Sequence, residues 1–144
     1  MANLSRRDWL MLLFDGADRP LDRVRIQKAM FLFSERSKAP AEQKYSFQPY
    51  NYGPFSFEIY PDLDWLFEQG IVEQAPVPWM SSPVYSLTKK GREAVEQVRK
   101  VADAGRLTLL HRLRDFVLAR TFNSLLKEIY RLYPEFAKNS VFKS

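Results

Sequence analysis

The sequence predicts a mainly helical α+β protein, and three observations lead to that fold class. Amphipathic helical spacing recurs through most of the chain. Two short runs with strand character, residues 71–74 and 84–87, flank a loop rich in proline and serine. Three helices precede this strand pair and one capped helix follows it, which is the element order of a winged helix-turn-helix. We therefore predict a winged helix-turn-helix with a C-terminal helical extension, and an unrelated α+β arrangement is the alternative.

Two amphipathic helices are predicted near the start of the chain. Ser5 can cap a helix over residues 6–15, and Gly16 can end it. A second helix is predicted over residues 22–37. Its apolar side chains recur at the spacing of a single helix face: Ile26, Ala29, Met30 and Phe33.

A short strand and a third helix are predicted next. Residues 44–50 alternate aromatic and polar side chains, and the turn-forming residues 51–54 follow them. The third helix is predicted over residues 55–69, where Pro61 could break it. The dense aromatic side chains here either pack against the second and third helices or form a stacking or docking patch: Tyr45, Phe47, Tyr50, Tyr52, Phe55 and Phe57.

The region after the strand pair is predicted to be helical to near its end. Thr88 caps the first helix, and Gly105 is expected to separate that helix from two more. The predicted ranges are 88–102, 107–119 and 122–133. Pro134 ends the last helix.

The chain is expected to form one structural domain with two parts. Residues 1–104 are the predicted winged helix-turn-helix, and residues 105–144 are its helical extension. The extension carries more apolar surface than one such domain can cover, so a homodimer is predicted. Four residues are predicted either to lie in its interface or to pack beneath it: Leu125, Leu126, Ile129 and Tyr133. The alternative is that these helices fold back and cover their own domain.

The composition predicts a folded, cytoplasmic protein. Hydrophobic residues make up 46% of the chain and aromatic residues 15%, which excludes a disordered chain. The absence of cysteine excludes disulfides, thiolate chemistry and cysteine-based zinc sites. No apolar run approaches the length needed to cross a bilayer, so no membrane contact is expected.

The charge distribution suggests an anionic partner. The net charge is +5, and the whole basic excess lies in residues 73–144, with thirteen Lys and Arg against seven Asp and Glu. We predict a winged-helix DNA-binding protein that contacts phosphates through basic side chains. These are Arg19, Arg23, Arg25, Lys28, Lys89, Lys90, Arg92, Arg99 and Lys100. The alternative for these residues is a solvated face with helix ion pairs.

Two features oppose a conventional DNA reader and favour a protein partner. The third predicted helix, which would enter the major groove, contains four carboxylates and no Lys or Arg. The predicted wing offers Trp79 and Met80 instead of basic residues. The alternative function is therefore an adaptor or antitoxin-like module that binds a protein through Trp79, Met80, Glu58 and Asp62.

Catalysis is not expected. His111 is the single histidine and has no carboxylate cluster beside it in the sequence, so a nucleophile–base pair is not supported. No glycine-rich phosphate loop is present among the five glycines. We expect no cofactor and no bound metal.

Three phrases of the sequence are similar to a known family. Residues 25–33, then 50–54 with Ile59 and Tyr60, then 133–140 resemble the YwgA-like family of small bacterial proteins. Ile26-Gln27-Lys28 and Tyr52-Gly53-Pro54 more distantly resemble the Panacea domain of SocA-type antitoxins. The first resemblance implies a fold without an established activity. The second implies neutralisation or delivery of a partner protein. Together the resemblances imply that the DNA-binding protein is a prokaryotic one, either a bacterial transcription regulator or a defence or toxin–antitoxin accessory.

Overall fold

The computed structural model describes residues 4–142, and within them the chain is α+β and mainly helical, as predicted. Six α-helices lie at α1 Arg6–Leu13, α2 Arg23–Arg36, α3 Ile59–Glu68, α4 Lys89–Val101, α5 Ala104–Leu118 and α6 Phe122–Leu132. Five strands lie at β1 Leu21–Asp22, β2 Gln48–Tyr50, β3 Gly53–Phe55, β4 Val72–Ala75 and β5 Val84–Leu87. Short 3-10 helices lie at Ala41–Gln43 and Pro134–Ala137. The outer ends of the two predicted parts, residues 1–3 and 143–144, lie outside the described residues.

Side-chain caps fix where most of the helices begin. Ser5 accepts a hydrogen bond from the Asp8 amide, and the Asp8 carboxylate accepts one from the Ser5 amide, so α1 begins with a complete capping box. Single side-chain caps begin α2, α4, α5 and α6: Asp22, Thr88, Asp103 and Thr121. The expected interruption at Gly105 is wrong. Because Asp103 caps α5, Gly105 lies in the first turn of that helix.

A three-stranded antiparallel sheet joins the two halves of the chain. Its strand order is β1-β5-β4, with Leu21 opposite Tyr85 and Val72 opposite Leu87. Strand β1 is absent from the sequence prediction because two residues are too short to show an alternating pattern. The pairing places the start of α2 directly beside the strand that follows the loop 76–83.

A two-stranded hairpin, β2–β3, stands between α2 and α3. Its register places Gln48 opposite Phe55 and Tyr50 opposite Gly53. The predicted third helix therefore starts too early, because Phe55 is in a strand and α3 begins at Ile59. Pro61 does not break α3, since it lies in the first turn, where an amide hydrogen has no helical acceptor.

The core surrounds α2. Its residues 26–33 are all buried, and the helix packs mainly against α5. Tyr133 and Phe136, from the segment after α6, contact the Phe31 ring with centroid distances of 5.0 and 4.7 Å. The fold brings into contact the three phrases that resemble a known family: Arg25–Phe33, the hairpin and the segment 133–140.

The C-terminal helices cover their own domain. Leu125, Leu126 and Ile129 are fully buried within the single chain, and Tyr133 packs against its core. The alternative of a fold-back arrangement is therefore the observed one, and these four residues cannot supply an exposed dimer interface. A homodimer through other residues stays a prediction.

None of the described helices combines the length and the apolar character needed to cross a bilayer.

The close contact between α4 and β4 yields a stability prediction. A Cβ atom on Gly91 would lie 2.0 Å from the Ile71 carbonyl oxygen, which is backbone and cannot rotate away. Gly91→Ala should therefore lower the free energy of unfolding, measured by urea denaturation, by at least about 2 kcal/mol.

Gly105→Ala is the matched control. Its added Cβ would meet only the Asp103 carboxylate at 3.4 Å, an ordinary contact. Replacing glycine by alanine within a helix should leave stability unchanged or raise it by up to about 1 kcal/mol. Equal effects of the two substitutions would contradict the close packing of α4 on the strand.

Candidate functional site

Among the nine basic residues predicted to contact phosphate, Arg25, Lys28 and Lys90 bind backbone carbonyls of this chain. Arg25 forms an ion pair with Asp22 at 3.0 Å and donates to the carbonyls of Val117 and Arg120 at the end of α5. Lys90 Nζ lies 2.7 Å from the Gln69 carbonyl oxygen at the end of α3. The last carbonyls of a helix accept no hydrogen bond from that helix, and their partial negative charge favours a nearby cation.

Two arginines outside the predicted set do the same for α1 and α2. Arg114 is 4% exposed and donates to the carbonyls of Leu13, Asp15 and Gly16, at the end of α1. Arg106 donates to the carbonyls of Ser37 and Lys38, at the end of α2. Both arginines belong to α5. The extension is thus joined to the first two helices through their C-terminal ends.

Lys28 is wrongly predicted as a phosphate contact. Its side chain is 2% exposed, and Nζ lies 2.9 Å from the Pro54 carbonyl oxygen. Arg23 is also occupied within the chain, because Nε donates to the Tyr85 hydroxyl and the guanidinium lies over the Tyr60 ring. The hydrogen bond to Tyr85 raises the pKa of Arg23, so this side chain stays charged.

The remaining predicted basic residues are exposed, but they do not form a purely basic face. Arg99 pairs with Asp15 at 2.8 Å. Arg19 and Arg92 line one groove of about 440 Å³, which Asp15, Asp18 and Glu73 also line. Lys89 and Lys100 on α4 are exposed and take part in no ion pair within the described residues. Carboxylates on the same surface weaken attraction to phosphate.

The two acidic residues predicted to bind a protein partner serve the fold instead. Glu58 pairs with Arg6 at 2.9 Å and accepts a hydrogen bond from the Ser46 amide. Asp62 accepts a hydrogen bond from the buried Tyr45 hydroxyl at 2.7 Å and lies 3.3 Å from Arg7 Nε. These contacts hold the start of α3 against α1. Both carboxylates are paired within the chain, and their role in binding a partner stays a prediction.

The loop between β4 and β5, residues 76–83, forms an open groove with a largely apolar lining. Trp79 is 83% exposed, and its ring forms part of a groove of about 580 Å³. The groove is lined by three prolines and by apolar and charged side chains: Arg19, Pro20, Asp22, Arg25, Pro76, Val77, Pro78, Trp79, Met80, Val84 and Leu118. Trp79 and Met80, which are predicted to contact a partner protein, therefore share one surface with Arg19, which is predicted to contact DNA.

His111 is occupied by the backbone. Its Nε2 lies 3.0 Å from the Leu12 carbonyl oxygen, so the proton of the neutral ring resides on Nε2. Burial lowers the pKa of His111, which favours that neutral form. No group of three or more His, Asp or Glu side chains within residues 4–142 is placed to hold a metal ion.

Comparison with known proteins adds no further assignment: no family model matches the chain, and no curated protein is significantly similar to it.

The features that sequence reasoning missed are the cation–carbonyl contacts and the burial of Lys28. Every residue has a backbone carbonyl, so a sequence does not show which carbonyl a distant cation will bind. The only signal of burial for Lys28 was the pair Phe31 and Leu32, which lie three and four residues after it on the same side of the helix.

The carbonyl contacts of Arg114 can be tested by stability. Arg114→Met keeps the apolar stem but leaves the α1 carbonyls without a donor, so the free energy of unfolding should fall by about 3 kcal/mol. Arg112→Met is the control, because Arg112 is exposed and forms no described hydrogen bond; its effect should stay within about 0.5 kcal/mol. Urea denaturation of both variants provides the comparison, and a small loss for Arg114→Met would refute the capping role.

Proposed function

We propose that this protein is a winged-helix module that binds a partner protein through the groove beneath its wing loop, residues 76–83. The observation that carries the proposal is Trp79, a large apolar side chain that is 83% exposed at the edge of an apolar groove. Large exposed aromatic side chains beside a pocket are typical of protein interaction sites. This is the alternative that the sequence left open beside DNA binding.

The element order supports the winged-helix part of the proposal. Helices α1, α2 and α3 precede the pair β4–β5, and the two-residue β1 between α1 and α2 completes the sheet in the order β1-β5-β4. The 22 residues between α2 and α3 contain the β2–β3 hairpin, where a winged helix ordinarily needs only a turn. We interpret this hairpin as an insertion into that fold.

The exposed face of α3 supports a protein partner over a base-reading role. In a DNA-binding winged helix this helix enters the major groove, where Arg, Lys, Asn or Gln read the bases. The most exposed side chains of α3 are Pro61, Asp64, Phe67 and Glu68. Two carboxylates, one proline and one aromatic ring suit a protein surface better than a phosphate backbone.

The lining of the groove indicates the chemistry of the partner. Pro76, Pro78 and Met80 offer apolar contact, and Arg19 is an exposed cation at the same groove. Asp22 is already paired with Arg25, so the groove retains positive charge. A segment that combines apolar side chains with Asp or Glu would match both properties. We therefore propose an acidic, apolar segment of another protein as the occupant.

Replacing the wing side chains tests the proposal. A random peptide library displayed on phage, selected against the wild-type protein, should enrich sequences that combine apolar residues with Asp or Glu. The double variant Trp79→Ser/Met80→Ser should bind the selected peptides about 30-fold more weakly or worse, since a central aromatic contact commonly contributes about 2 kcal/mol. Binding is measured by fluorescence anisotropy of the labelled peptide.

Val101→Ser is the control variant, because Val101 is an exposed apolar residue at the end of α4, outside the groove. It should bind the peptides as the wild type does. Enrichment of basic peptides, or equal binding by the double variant, would exclude the proposed occupant. Circular dichroism should show that both variants remain folded, since Trp79 is exposed and Met80 only partly buried.

DNA binding is the second candidate, favoured by the exposed lysines of α4, which directly follow the second wing strand. Lys89→Gln/Lys100→Gln should weaken binding of a duplex at about 50 mM salt and lower the salt dependence by about two charges. Lys127→Gln/Lys138→Gln, on α6 and the segment after it, is the matched control. No binding at micromolar protein, measured by fluorescence anisotropy, would eliminate this candidate.

A further inference from the structure

A second cavity lies between α2 and the β2–β3 hairpin, away from the wing. Its volume is about 190 Å³, and it is lined by Val24, Gln27, Lys28, Tyr50, Asn51, Tyr52, Gly53, Phe55 and Tyr60. Tyr50 and Tyr52 are 43% and 47% exposed, so they stand at its mouth. Apolar cavities of about 150 Å³ are large enough to bind a benzene ring. The cavity can therefore hold one small planar molecule.

Lys28 makes this cavity chemically unusual. It is almost completely buried, and its single described acceptor is the Pro54 carbonyl oxygen at 2.9 Å. An ammonium group can donate three hydrogen bonds. No carboxylate of residues 4–142 forms an ion pair with it. A buried charge without a counter-ion is costly, so an anion that reaches this lysine is stabilised.

The neighbouring polar group is already satisfied and cannot compensate for this charge. Gln27 Nε2 donates to the Ser56 carbonyl, and Gln27 Oε1 accepts from the Ser56 amide, both at 2.9 Å. The remaining walls are mainly aromatic: the Tyr50 and Phe55 rings lie 5.2 Å apart, and the Phe55 and Tyr60 rings 5.5 Å apart. Aromatic walls favour a flat ligand that stacks on them or meets their edges.

We infer that this cavity is a binding site for a small aromatic carboxylate, whose ring lies among the tyrosines and Phe55 and whose carboxylate pairs with the Lys28 ammonium. The volume excludes a nucleotide. The site lies on the hairpin side of α2, while the groove of the wing involves the start of α2 and the loop 76–83. It stands independently of the function proposed above.

Benzoate is the probe that tests the site. Isothermal titration calorimetry should give a dissociation constant on the order of 10⁻⁴ M, consistent with the affinity that a ligand of this size can reach. Benzamide has the same shape without the charge, and acetate has the charge without the ring. Each should bind at least about tenfold more weakly than benzoate, the loss expected when one of two required contacts is missing.

The pH dependence provides a readout that needs no variant. Burial lowers the pKa of Lys28 to about 7. Since benzoate needs the charged ammonium, its affinity should be constant below that pH and fall about tenfold per pH unit above it. The other titratable side chains that line the cavity are Tyr50, Tyr52 and Tyr60, and burial raises the pKa of Tyr60. An affinity that does not change between pH 6 and pH 9 would overturn the inference.

Lys28→Met completes the test, because it keeps the apolar stem and removes the ammonium. It should abolish benzoate binding, while Lys44→Met, which changes a lysine outside the cavity, should bind as the wild type does. Should Lys28→Met fail to fold, the pH profile and the benzamide comparison on the wild-type protein decide the matter. Equal binding of benzoate and benzamide, or no benzoate binding at about ten millimolar, refutes the site.

Discussion

Cations that bind the carbonyl ends of neighbouring helices hold this molecule together. Every helix leaves its last carbonyls without a partner, and here Arg114, Arg106, Arg25 and Lys90 supply donors from a different element. Two of these arginines belong to α5 and reach the ends of α1 and α2, while Arg25 of α2 reaches the end of α5. The contacts run in both directions, so α1 and α2 cannot separate from α5 without exposing several unsatisfied groups.

The burial of α2 sets a second constraint. A helix covered on nearly every side cannot leave polar side chains unpartnered, and α2 carries both Gln27 and Lys28 in its buried stretch. Strand β3 and the residue after it provide backbone partners for both, at Pro54 and Ser56. The hairpin is therefore more than a connection between α2 and α3. It covers one side of the central helix and forms the aromatic walls of the cavity beside Lys28.

The parts of the structure that depend on local chemistry could be predicted, and those that depend on distant contacts could not. Ser5, Thr88 and the apolar spacing of residues 26–33 place helices because caps and periodicity act within a few residues. Strand β1 escaped prediction because its two residues become a strand only by pairing with β5. Lys28 and Arg25 look alike in the sequence, yet one lies at an aromatic cavity and the other at a helix end. Within the predicted partner-binding surface, the exposure of Trp79 could be predicted from the sequence. A proline-rich loop seldom has enough apolar neighbours to bury a tryptophan.

The binding of arginine to carbonyl oxygens has a consequence for the electrostatic potential of the whole molecule. A carboxylate partner cancels the charge of an arginine, but a carbonyl is a dipole and cancels none of it. Arg106 and Lys90 bind carbonyls and form no ion pair within residues 4–142, so their unit charges remain, whereas Arg25 and Arg114 each also pair with an aspartate. Two of the charges behind the net charge of +5 are therefore used for short-range contacts and still contribute to the positive long-range field of the protein.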